Sequence, residues 1–140
     1  DLDARTWTVP ASRMKMRRPH TVPLSDQALN IVEENWSEIK GVELLFPSKI
    51  SNRKLVSENA FNSVLRRLGY SGKEVTAHGF RVTVSTILNS REYNPDVIEA
   101  ILAHQDTNAI RRTYNRTTYW KQRVELMQVW ADLCDEFRAL

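Results

Sequence analysis

The sequence predicts an α+β domain that is mostly helical and begins with a small antiparallel β-hairpin. Two short segments near its start, Thr6–Val9 and His20–Leu24, alternate polar and apolar residues, which is typical of strands. After Ser25, apolar residues recur instead at the spacing of an amphipathic helix. The 140 residues are enough for one domain with its own hydrophobic core.

Five helices are predicted from capping residues and apolar periodicity. The side chains expected to cap the first four helices are, in chain order, Ser25, Ser57, Thr76 and Asn94. The first helix should end near Lys40 and the second at Gly69, and Pro95 suits the first turn of the fourth. A last helix is expected from about Tyr119 to Phe137.

The apolar spacing also predicts which helix faces are buried. In the second helix the expected inward residues are Phe61, Val64, Leu65 and Leu68, and in the third they are Phe80, Val84, Ile87 and Leu88. The last helix has a broad apolar face made of Met127, Trp130, Ala131, Cys134 and Phe137. That face could dock on its own domain or on a neighbouring subunit, and the sequence leaves both open.

Positive charge is concentrated in two segments, although Lys and Arg exceed Asp and Glu only by 20 to 17. One group is Arg13, Lys15, Arg17, Arg18 and His20, and the other is Arg111, Arg112, Arg116, Lys121 and Arg123. Such clusters favour an anionic partner such as a DNA backbone. For either cluster alone, an ordinary solvated surface is an equally acceptable interpretation.

Several classes of protein are disfavoured by what the sequence lacks. Cys134 is the only cysteine, so neither an intramolecular disulfide nor a cysteine-based metal site can form, and a reducing cytoplasmic location is expected. No apolar run is long enough to span a bilayer. The sequence also lacks a glycine-rich phosphate loop and an acidic metal cluster.

Four residues are candidates for phosphate chemistry. His78 and Arg81 are three residues apart at the start of the third helix, so both lie on one face near a helix N-terminus that favours anions. The planar fork of an arginine can hold two phosphate oxygens. His104 follows the fourth helix, and Tyr114 lies in a short basic segment. Taken singly, each residue is also explained by helix packing or by an ordinary surface position.

Together, in this order, these residues resemble the catalytic signature of the tyrosine recombinases, the phage integrase family. Longer segments are similar to prophage and pathogenicity-island integrases, and they span nearly the whole chain: Arg13–Ser25, Thr76–Arg81, Ala103–His104, Tyr114–Arg116 and Met127–Asp132. The resemblance implies the tyrosine recombinase catalytic fold and chemistry without a metal or nucleotide cofactor, which fits the absence of a glycine-rich phosphate loop and an acidic metal cluster. It also implies a bacterial, DNA-associated enzyme.

The resemblance assigns a role to each matched position. Tyr114 matches the nucleophile and Lys15, in the loop between the strands, the catalytic lysine. His78 and Arg81 match the histidine and the second arginine of the signature, and His104 matches the position filled by histidine or tryptophan. Thr113 occupies the more usual spacing but cannot form a phenolic ester, and Tyr119 is the fallback nucleophile. The arginines expected to contact DNA are Arg13, Arg17, Arg18, Arg112 and Arg116.

The implied activity is site-specific recombination of double-stranded DNA through a 3′-phosphotyrosine, by a homo-tetramer in this family. The family's first arginine has no match here, because Arg5 lies too close to the hairpin and is interpreted as a strand residue. Residues 1–140 are therefore expected to be the C-terminal part of a catalytic domain, inactive alone, with core-binding and arm-binding domains upstream. The alternatives are a type IB topoisomerase and a DNA-binding module that has lost catalysis.

Overall fold

The computed structural model describes residues 1–14, 17–38, 44–48, 51–103 and 119–139, and for residues 37, 38, 51 and 52 it describes the backbone alone. Within these ranges the chain is mostly helical, with two small antiparallel sheets, so the predicted α+β class is confirmed. The strands are β1 Thr6–Val9, β2 His20–Pro23, β3 Pro47–Ser48 and β4 Ser51–Leu55. The helices are α1 Asp26–Glu38, α2 Ala60–Arg67, α3 Ala77–Ser90, α4 Pro95–Ile101 and α5 Trp120–Arg138.

The predicted hairpin is present as the β1–β2 pair. Thr6 lies opposite Pro23 and Val9 opposite His20, and the hydroxyls of Thr8 and Thr21 are 3.1 Å apart across the strands. The second hairpin, β3–β4, was not anticipated from the sequence. Its described β4 side chains are all exposed, so no alternation of polar and apolar residues marks it.

Most of the predicted helix boundaries agree with the structure. The hydroxyl of Ser25 accepts a hydrogen bond from the Ala28 N–H at 3.3 Å, and the Asn94 side chain accepts one from the Asp96 N–H at 2.9 Å. The prediction for Ser57 is wrong, because α2 begins three residues later, at Ala60. Gly69 ends that helix with a φ of 95°, which only glycine adopts readily.

The described residues divide into two compact units, one within Asp1–Leu29 and Ser85–Leu140 and the other within Asn30–Val84. The buried aliphatic side chains of the described residues all lie in the first unit: Leu88, Val97, Ile98, Leu102, Leu126 and Leu133. There α5 contacts both α4 and β2. Each fully buried aliphatic side chain stabilises such a core by about 1.5–3 kcal/mol.

Helix α5 packs on its own unit through a face different from the one predicted. Its buried residues are Arg123, Leu126 and Leu133, whereas Cys134 and Phe137 are exposed. The buried face of α5 is therefore rotated around the helix axis relative to the predicted one, because α4 and β2 pack against the side that contains Arg123.

A polar network adds to the contact between α5 and the start of α1. The Gln27 amide donates to Asp132 and Asp135 at 2.9 and 2.8 Å, and Gln128 accepts from the Asp26 N–H at 2.9 Å. The hydrogen bonds from Gln27 and then Gln128 lower the pKa of the Asp132 carboxyl. These bonds fix the register of α5 against α1 within the first unit.

The second unit has no fully buried side chain among its described residues. Phe61, Val64 and Leu68 on α2 are 70%, 50% and 67% exposed, and Phe80 on α3 is also exposed, so the prediction that they are buried is wrong. The described elements of this unit are short and leave that face of α2 uncovered. Further along α3, in the first unit, Leu88 is buried as predicted.

Candidate active site

The start of α3 carries the best-described part of the candidate site. His78 is exposed and Arg81 half-buried, three residues apart on one face of the helix. The Thr76 hydroxyl accepts from the Gly79 N–H at 3.0 Å, and the Asn62 side chain accepts from the Ala77 N–H at 2.9 Å. Two of the first three N–H groups of the helix are therefore already bonded within the protein. Phosphate binding here would depend on the two side chains and the helix dipole rather than on a row of free N–H groups.

The loop that leads into α3 is held by Arg66. Its guanidinium donates to the carbonyl oxygens of Tyr70 and Val75, the latter at 2.6 Å. The Ser71 N–H donates to the Glu74 carboxylate at 2.7 Å, and this bond lowers the pKa of Glu74. The Arg66 guanidinium is therefore already hydrogen-bonded to backbone oxygens. Arg81 is then the described arginine near the start of α3 that suits a phosphate.

Three of the predicted DNA-binding arginines surround the turn of the first hairpin. Arg13 ends a short 3-10 helix, Ala11–Arg13, and Arg17 has a φ of 50° with its N–H bonded to the Met14 carbonyl at 2.9 Å. Arg13, Arg17 and Arg18 are all exposed, and no described carboxylate forms an ion pair with them. This end of the hairpin therefore presents a concentrated positive charge.

The other predicted site residues lie outside the described part of the chain: Lys15, His104, Arg112, Thr113, Tyr114 and Arg116. The elements that flank them are described. Lys15 lies between Met14 and Arg17, which are joined by a backbone hydrogen bond, and His104 and Tyr114 lie between α4 and α5. The Tyr119 hydroxyl, at the N-cap of α5, donates to the Asp96 carboxylate on α4 at 3.4 Å.

Arg5 is not a strand residue, contrary to the prediction. It precedes β1 with a φ of 53°, its carbonyl accepts from the Leu24 N–H at 2.9 Å, and its guanidinium pairs with Asp26. Both partners are well exposed, so the ion pair contributes at most about 1 kcal/mol. Arg5 therefore stabilises the junction between the hairpin and α1.

Arg123 differs most from its predicted role. The sequence places it in an exposed basic cluster, whereas its side chain is buried, with 7% of its surface accessible. Its guanidinium donates to the Thr21 carbonyl and lies 5.4 Å from the centre of the Trp120 ring. Burial lowers the pKa of this guanidinium. The sequence did contain one sign of this burial: the helical spacing of Arg123, Leu126 and Leu133 puts the arginine on the same face of the helix as the two leucines.

Comparison with known proteins decides the family. The model for "Phage integrase family" matches residues 1–120. The chain belongs to the phage integrase family. The match to this integrase family includes the positions of all five candidate catalytic residues, from Lys15 to Tyr114. No helix among the described residues is long and apolar enough to cross a membrane.

The chain is also similar to proteins that are named integrases. The chain is 49% identical to the prophage integrase IntA of Escherichia coli K12 over 133 residues, which are 95% of this chain and 32% of the relative. It is 41% identical to the integrase of Shigella phage Sf6 over 137 residues, 97% of this chain and 35% of that protein. The chain thus spans about a third of the length of these integrases. No solved structure matches it significantly.

Proposed function

We propose that this chain is the C-terminal part of the catalytic domain of a site-specific DNA recombinase. The observation that carries the proposal is the family match over residues 1–120, which includes every candidate catalytic position. The exposed arginines at the hairpin turn and the His78–Arg81 pair on α3 supply positive charge of the kind that DNA phosphates require.

Tyr114 would act as the nucleophile. Its phenol, with an ordinary pKa of about 10, is mostly protonated at neutral pH and needs activation. The phenolate oxygen attacks the scissile phosphorus, a phosphotyrosine bond forms, and the bond to the 5′-oxygen breaks. Arg81 and His104 would stabilise the charge that develops on the non-bridging oxygens. His78 would position the phosphate or assist proton transfer.

Lys15 would protonate the departing 5′-oxygen as the general acid. The exposed cations Arg17 and Arg18 follow it closely in the chain, and positive neighbours lower the pKa of an ammonium group. A lower pKa would make proton donation easier at neutral pH. Because the phosphotyrosine conserves the bond energy of the diester, a 5′-hydroxyl of a second DNA can reverse the reaction and rejoin the strand without a metal or a nucleotide.

The proposed partner is double-stranded DNA that carries attachment sites, in the cytoplasm of a bacterium. Phosphate contacts would come from Arg13, Arg17, Arg18, Arg112 and Arg116. We further propose that the full-length protein acts as a homo-tetramer. A neighbouring subunit would contact α5 through the large apolar side chains that the helix leaves exposed, Trp120, Val124 and Phe137.

One catalytic arginine would have to come from upstream residues, together with the core-binding and arm-binding domains. Arg5 pairs with Asp26 and is committed elsewhere. The proposal is tested by incubating the full-length protein with two DNAs that carry attachment sites and measuring exchanged product strands. Relaxation of supercoils without exchange would indicate a topoisomerase, and binding without cleavage would indicate a module that lacks catalysis.

A further inference from the structure

Arg123 is a buried cation that the proposed chemistry does not use. Among the described residues, no carboxylate forms an ion pair with it, and its Nε atom has no hydrogen-bond partner. The hydrogen bond that its side chain does form is to the backbone carbonyl of Thr21, while its guanidinium also lies near the Trp120 ring. A buried charge supported in this way is costly compared with an apolar side chain of similar volume. Fold stability alone is therefore a poor explanation for an arginine at this position.

The two elements that Arg123 connects give a better explanation for an arginine at this position. It lies in the first turn of α5, where its own N–H donates to the Tyr119 carbonyl at 2.8 Å, and it is nine residues after Tyr114. Its acceptor, Thr21, is on β2, six residues after Lys15. Thr21 is also paired with Thr8 across the hairpin, so a bond to Thr21 restrains both strands. Arg123 thus connects the helix that follows the candidate nucleophile to the hairpin that carries the candidate general acid.

We propose that Arg123 is a positioning residue that sets the hairpin, and with it Lys15, in register with the segment that carries Tyr114. The inference rests on the proposed function, because it takes the roles of Lys15 and Tyr114 from there. The planar guanidinium suits this task, since one nitrogen reaches the Thr21 carbonyl while the plane lies near Trp120. Arg123 does not touch the DNA in this account. It acts through the placement of Lys15.

The test compares two substrates with the full-length protein. Arg123→Met keeps the volume of the side chain and removes the charge and the hydrogen bond. Covalent adduct formation on a nicked substrate with an ordinary 5′-oxygen should slow by about tenfold to 100-fold, since a misplacement of roughly 1 Å can cost that much. On the matching substrate with a 5′-sulfur leaving group, which departs without protonation, most of the loss should disappear.

The matched control is Arg91→Met, the same substitution at an exposed arginine just after α3 that has no proposed role, which should leave both rates unchanged. Arg123→Lys keeps the charge and a donor, so it should slow the oxygen substrate less than Arg123→Met does. If the methionine variant fails to fold, the lysine variant decides by the same comparison between the two substrates.

Two results would overturn the inference: unchanged rates in a folded Arg123→Met variant, or equal slowing on the oxygen and sulfur substrates. Equal slowing would mean that Arg123 acts on the whole fold or on Tyr114 rather than through Lys15. If the unaltered protein forms no adduct on either substrate, the proposed function itself fails. That result is distinguishable from both of the others.

Discussion

The side chain of Asn62 on α2 accepts a hydrogen bond from the backbone N–H of Ala77, the first residue of α3, at 2.9 Å. This bond ties one helix to the first turn of the next, immediately before His78. Asn62 also donates to Asn59 at 3.1 Å, which restrains its own rotamer. The candidate phosphate-binding pair is therefore held in place by a residue outside the catalytic signature.

We expect Asn62→Ala to destabilise the fold by about 0.5–2 kcal/mol, the range measured for the loss of a helix-capping side chain. Asn62→Asp keeps the acceptor and should retain most of the stability. Denaturant unfolding of each variant measures the effect. The control is Asn35→Ala, whose amide donates only to the Ile31 carbonyl of its own helix, and its expected change is within about 0.5 kcal/mol. Equal losses of unfolding free energy in Asn62→Ala and Asn35→Ala would show that the hydrogen bond to Ala77 adds no particular stability.

The network around Asp132 predicts a dependence of stability on pH. Hydrogen bonds from Gln27 and Gln128 lower the pKa of this carboxyl in the folded protein, so the stability they add is present above its ordinary value of about 3.9. That contribution is lost as the pH falls below this value towards the lowered pKa. Asp132→Asn should therefore reduce the fall in unfolding free energy at acidic pH. The same acid dependence in both proteins would rule out this source.

The elements that the sequence predicted well are those with a local signal. Ser25, Thr76 and Asn94 cap their helices through hydrogen bonds within a few residues, and Gly69 ends α2 through its own backbone conformation. Such local preferences depend on residues that are neighbours in the chain, so the sequence reveals them. The two strands of the first hairpin were recognisable from the alternation of polar and apolar residues in the sequence, although burial does not alternate along either strand.

The helix start predicted at Ser57 failed although its signal is local, but several other failures concern contacts between distant segments. The partner of Arg123 is a carbonyl 102 residues away, and a basic residue in a basic neighbourhood gives no sign of burial. The apolar spacing of Phe61, Val64 and Leu68 is helical, as predicted, but periodicity cannot say whether another element covers that face. For the candidate site, the order of His78, Arg81, His104 and Tyr114, together with longer similar segments, indicated the family. The contacts of Asn62 and Arg123 required coordinates.

Lys15→Ala should slow cleavage of an ordinary DNA substrate, because the departing 5′-oxygen would lose its proton donor. General acid catalysis typically contributes about 10²–10⁴-fold. On a substrate with a 5′-sulfur leaving group the loss should be much smaller, since sulfur leaves without protonation. Rates of covalent adduct formation on both substrates measure this. Equal slowing would reject Lys15 as the general acid and leave it as a phosphate contact.

The 140-residue chain alone should bind DNA weakly and fail to recombine it. A missing arginine at the phosphate costs about 2.7–4 kcal/mol by analogy with an oxyanion-hole donor, and binding through few phosphate contacts should fall steeply with salt. The measurement is a salt titration of DNA binding, followed by a strand-exchange assay against the full-length protein. Efficient exchange by the 140 residues alone would mean that an arginine within them completes the site.

In the proposed reaction, Tyr114 forms a covalent bond to DNA. Tyr114→Phe in the full-length protein removes only the attacking oxygen, so DNA binding should stay near the unaltered level while covalent attachment is abolished. The measurement is the amount of protein–DNA adduct on a nicked substrate that traps the cleaved complex, with Tyr119→Phe as the matched control. We expect adduct from the control and none from Tyr114→Phe. Adduct from Tyr114→Phe, with none from Tyr119→Phe, would contradict this expectation and make Tyr119 the nucleophile.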